Sequence, residues 1–130
     1  MWAGWPAERI LYLFLGVVSL AVAAQVTLMH WRQNFRHWSM WTPVIETPLL
    51  AVVALLLTWV NSGALRSLLV LLSALSGLTG LVGTYYHWAG VGERVDGYTL
   101  NNFMVGPPVA LPLLVSALGA LGLIAVYLMD

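Results

Sequence analysis

Four stretches of this chain are long and apolar enough to cross a bilayer, and nearly all of its charge lies outside them. A hydrocarbon core about 30 Å thick needs roughly 20 apolar residues at a rise of about 1.5 Å each. Residues 10–29, 43–60, 67–86 and 108–128 meet that need, and the only charge within them is Glu46. Between them lie residues 30–42, a short Asn61–Arg66 turn, and residues 88–107. Backbone groups in hydrocarbon must be hydrogen-bonded within the protein. The expectation is therefore an all-α integral membrane protein, a four-transmembrane-helix bundle forming a single domain over residues 1–130.

Composition agrees. Only 8% of the residues are charged and 61% are hydrophobic, whereas soluble domains carry about 25% charged residues. Trp2, Trp5, Trp31, Trp38, Trp41, Trp59 and Trp88 all fall at or just beyond the span ends, the aromatic belt expected at a membrane interface. The five Arg balance the five acids, so nothing in the net charge grips a nucleic-acid backbone. The chain has no cysteine, which excludes thiol redox chemistry, thiolate metal sites and disulfides. Ala21 to Ala24 offers a signal-peptidase-like site behind a short apolar run. That run continues through Met29, and Glu8 offsets Arg9, so the first span is expected to stay.

Four spans place both termini and the Asn61–Arg66 turn on one side, the terminal face, and the two longer loops on the other, the loop face. Arg32, Arg36 and Arg94 against Arg9 and Arg66 favour a cytoplasmic loop face by the positive-inside rule. A bacterial inner membrane is the expected location.

Repeats are a common way to build membrane bundles. A shift of 57 residues superimposes Arg9, Leu11, Leu15, Ser19, Thr27, His30 and Trp31 on identical residues at 66, 68, 72, 76, 84, 87 and 88. A shift of 64 aligns Pro43 and Pro48 with Pro107 and Pro112. The pattern is that of two tandem helical hairpins, parallel repeats about an axis along the membrane normal. His30 and His87 then share one depth, and Arg9 and Arg66 form the matching pair of end anchors. Small residues on span three (Ser73, Ser76, Gly77, Gly80) and span four (Ser116, Gly119, Ala120, Gly122) suit close helix packing. Thr42 is expected to cap a helix starting at Pro43. Pro48 and Pro112 are expected to bend the helices and open a shallow vestibule. No buried ion pair is expected.

Polar residues gather at the loop face, and a polar vestibule of Gln25, Glu46, Glu93, Arg94 and Asp96 is the candidate site. His30, His87 and His37 are candidate ligands for a b-type haem or a metal ion, because neutral imidazole nitrogens suit both. The competing expectation is that His30 and His87 are anchors at helix C-termini, where the dipole favours them. Glu46 is read as a first-turn acid stabilised by the same dipole. Arg94, Asp96, Asn101 and Asn102 form a candidate partner-docking loop. The Gly90–Gly97 segment matches neither dinucleotide nor phosphate-loop spacing, and no catalytic motif stands out.

Three functions compete. The first is a non-catalytic subunit or anchor of a larger membrane complex, respiratory or otherwise redox, surrounded by lipid and by other subunits or further copies of itself. The second is a small transporter or channel working as a dimer, with Glu46 as its membrane-embedded acid. The third is a haem- or quinone-binding electron-transfer subunit acting through His30 and His87.

Overall fold

The structure is a computed structural model that describes residues 1–94, without the Arg94 side chain, and residues 97–129. Its helices are α1 (Ala7–Arg32), α2 (Trp41–Trp59), α3 (Gly63–Arg94), α4 (Leu100–Val105) and α5 (Ala110–Leu128), with a 3-10 turn at Trp38–Met40. Four of them, α1, α2, α3 and α5, are long and apolar enough to cross a membrane. With 26 residues in α1, that helix is about 39 Å long at helical rise. The chain is an all-α four-helix bundle.

Neighbours pack in the order α1, α2, α3, α5 and back to α1, with the most intimate contacts within the hairpins α1–α2 and α3–α5. The core is one cluster that includes Tyr12, Leu15, Leu50, Leu57, Leu69, Val115 and Leu118. Ile45, Leu49, Val52 and Leu56 on α2 point outward, as a lipid-facing helix requires. Positions 57 residues apart share their burial: Tyr12 with Leu69, Leu15 with Leu72, Gly16 with Ser73, Ser19 with Ser76, and Ala23 with Gly80. Thr27 and Thr84, also 57 apart, each donate to the carbonyl four residues back, at 2.7 Å.

The α3–α5 contact is close because its seam has no bulk. A Cβ at Gly119 would lie 2.7 Å from the Gly77 nitrogen and run into the Ser73 carbonyl, and one at Gly80 would strike Ser116. Ser116 Oγ donates to the Gly77 carbonyl at 2.9 Å. Ala120, grouped with this seam in the sequence, faces outward.

Helix ends differ from expectation in ways that matter for the site. α2 starts at Trp41, and Thr42 donates its hydroxyl to the Ser39 carbonyl at 2.7 Å instead of capping. Pro43 and Pro112 are each the third residue of their helix, where no N–H is required. Only Pro48 removes a hydrogen bond from within a helix. α3 runs on to Arg94, past the expected end at 86, so His87 lies two turns inside it and is not a C-terminal anchor.

The terminal face is tied shut by side chains. Tyr12 OH and Arg66 Nε both donate to Glu8 Oε1, at 2.6 and 2.8 Å, and Glu8 is 4% exposed. This buried ion pair overturns the expectation of none and that of Arg66 as a free end anchor. Its partners are 58 residues apart, so no local pattern announces it. Trp2 Nε1 donates to the Leu57 carbonyl at 2.7 Å and Arg9 Nε to that of Thr58 at 2.8 Å. Together they satisfy carbonyls that the end of α2 leaves open.

Candidate functional site

A cavity of about 600 Å3 opens at the loop-face end of the bundle, within the roughly 300–1,000 Å3 range of small-ligand pockets. Its aliphatic lining includes the buried Val26 and Val115 and the half-buried Leu111, together with Leu78 and Val82 of α3, which are largely exposed. His30 and His87 both border it, and they come from α1 and α3, which sit diagonally in the bundle.

Each of these histidines is oriented by a backbone carbonyl just ahead of the next long helix. His30 Nδ1 lies 2.8 Å from the Met40 carbonyl oxygen, and His87 Nδ1 lies 2.7 Å from that of Pro108. A carbonyl only accepts, so Nδ1 carries the proton in both rings, and the neutral imidazole keeps its lone pair on Nε2. The start of α5 explains the second contact. Pro108 lies ahead of the α5 N-cap Val109, so its carbonyl accepts no intrahelical bond and is open to His87. His30 takes a carbonyl one turn earlier than the repeat alignment would place it, because Met40 ends the 3-10 turn ahead of α2.

His37 also borders the cavity but has a different role. The Ser39 amide donates to its Nδ1 at 3.2 Å, and Ser39 Oγ lies 2.6 Å away. Its Nδ1 is therefore the acceptor, and its Nε2 holds the proton in the neutral ring. Among the described residues, no three His or acid side chains gather in a group able to hold a metal ion.

The other candidates fall in four places. Glu93 borders the cavity on α3. Glu46 lies between α2 and α3, where Thr79, itself a lining residue, donates to its Oε1 at 2.9 Å. Its Oε2 is buried without a hydrogen-bond partner, so the acid is held by a side chain of the next helix and not by the start of its own. Gln25 does not join the cavity; it is exposed on the outer side of α1. In the docking loop, Asn102 is used internally, its Nδ2 donating to the Gly97 carbonyl at 2.9 Å, while Asn101 is exposed. The Arg94 side chain and Asp96 lie outside the described residues.

Sequence reasoning missed Arg36. It follows the turn that closes α1, where Asn34 and Phe35 both have left-handed backbone, φ 55° and 46°, and it borders the cavity. The signal available was its place between two candidate histidines in the 30–42 loop. Trp88, Tyr98 and Phe103 pack together, with ring centroids 4.9 to 5.9 Å apart, and fold the α4 segment back onto α3 beside the opening.

Compared with known protein families, curated proteins and solved structures, the chain matches none.

Proposed function

We propose that this chain is a small non-catalytic subunit of a membrane redox assembly, and that its loop-face cavity holds a b-type haem between His30 and His87. One observation carries the reading. Two histidines from different helices border one cavity, each with Nδ1–H tied to a backbone carbonyl and an Nε2 lone pair to spare. Metal-bound histidines are oriented in this way, the second nitrogen's hydrogen bond fixing tautomer and ring plane. Imidazole is a standard axial ligand of haem iron, and a haem held here would pass single electrons. The buried aliphatic lining residues, Val26 and Val115, suit a porphyrin face.

The bundle is a tandem duplication in this reading. The shared burial and the matched threonine hydrogen bonds at a spacing of 57 support it, and it accounts for two histidines at one depth. Gln25 supports a partner in the membrane. It is exposed with no hydrogen bond among the described residues, and an amide in hydrocarbon gains about 1 kcal/mol from an interhelical hydrogen bond. The loop face lies on the cytoplasmic side of a bacterial inner membrane. Because the chain has no cysteine, single cysteines at Asn101 and Asn61 test this with an impermeant thiol reagent on intact cells. Labelling at 61 alone is expected, and labelling at 101 alone would reverse the orientation.

The test of function is isolation of the full chain from its own membranes in a mild detergent, with a reduced-minus-oxidised spectrum and identification of accompanying proteins. A b-type haem spectrum and co-purified redox subunits are expected. A colourless, partner-free protein would overturn the reading and favour the small transporter, whose first test is loss of uptake in Glu46→Gln.

A further inference from the structure

We infer that Arg36 is an anion-recognition group, and that the occupant of the cavity carries a carboxylate at its loop-face end; this rests on the haem reading, in which the carboxylate is a propionate. The cavity's lining joins the buried aliphatic Val26 and Val115, the two imidazoles, and the exposed charged residues Arg36 and Glu93. Arg36 makes no ion pair or hydrogen bond among the described residues, in contrast to Arg9 and Arg66, which are both committed to protein partners. A cation with no partner among the described residues, beside a largely apolar lining, selects a ligand with an apolar body and an anionic end, since charge-assisted pairs with guanidinium are the strong ones.

The turn bearing Arg36 is held in place. Asn34 and Phe35 both adopt left-handed backbone, which Asn tolerates and an ordinary residue such as Phe disfavours. Their compensation is visible. The Phe35 ring stacks on Trp41 with centroids 3.9 Å apart and planes at 14°, and meets the His30 ring edge-on at 6.4 Å. The Phe35 amide also donates to the His30 carbonyl at 3.1 Å. Arg36 is thereby fixed relative to the helix that supplies His30. Glu93 lines the cavity from α3, so a carboxylate is drawn to the Arg36 side and repelled from the other.

The experiment titrates the full chain in detergent with protohaem and with its neutral dimethyl ester. Arg36→Gln is expected to weaken protohaem binding about tenfold, as loss of a hydrogen bond to a charged group would, and to leave ester binding unchanged. Arg36→Lys recovers most of the protohaem affinity, and Glu93→Gln leaves it equal or tighter. Equal losses for both ligands without recovery in Arg36→Lys, or no loss for either, would overturn the role of Arg36 while the haem reading stands. Failure of the wild-type chain to bind either ligand would instead overturn the haem reading, and this inference with it.

Discussion

Replacing Arg66 with leucine is expected to destabilise the bundle by about 3–5 kcal/mol, the usual cost of breaking a buried ion pair from one side. The reason is the carboxylate left behind. Glu8 is 4% exposed and has two donors, Arg66 Nε and Tyr12 OH. Without the guanidinium, the Tyr12 hydroxyl is the one side-chain donor left to a buried carboxylate in the first turn of α1. Pairing Arg66→Leu with Glu8→Gln should recover a large part of the loss, because no charge then remains to be compensated. Tyr12→Phe removes a hydrogen bond but no countercharge, so its cost is smaller. Unfolding of the four proteins in mixed micelles provides the comparison. If the double variant is no more stable than Arg66→Leu alone, the cost lies in other lost contacts of Arg66, whose guanidinium Cζ lies 5.4 Å from the Trp2 ring centroid, and not in the ion pair.

The histidine variants carry the second large effect. If His30 and His87 hold a haem as proposed, His30→Ala and His87→Ala would each remove one of its two nitrogen ligands, and each is then expected to lower haem affinity by more than about 100-fold. That exceeds the 10–100-fold cost typical of losing a group that only orients a ligand. His37→Ala should change affinity little, although it borders the same cavity, because its Nδ1 is engaged by Ser39. Haem titration followed by absorbance separates the three. An effect of His37→Ala as large as that of the other two would mean that bordering the cavity, and not the free Nε2, is what matters.

Much of this architecture is legible in the sequence because bilayer thickness constrains it so tightly. The four apolar helices follow from length and charge alone. What sequence reasoning missed depends on contacts between distant residues. Glu8 and Arg66 meet across the bundle, and nothing around either marks the encounter. The end of α3 was misplaced because Gly90 and Gly92 read as loop residues, each costing about 1 kcal/mol in a helix. In the fold both are close approaches: a Cβ at Gly90 would lie 3.0 Å from Pro107, and one at Gly92 would lie 2.5 Å from the Tyr98 hydroxyl. Gln25 was assigned to the vestibule because in a helix apolar on every side, periodicity does not say which face is inward. The tautomers of the three histidines were out of reach as well, since they follow from which backbone group each ring meets.

Electron paramagnetic resonance of the full chain loaded with ferric haem tests the central claim most directly, because it reports on both axial ligands at once. The proposed haem site predicts a low-spin signal of two-imidazole type in the wild type, converted to high spin in His30→Ala and in His87→Ala. A high-spin wild type, or a low-spin signal that survives removal of both histidines, would contradict it.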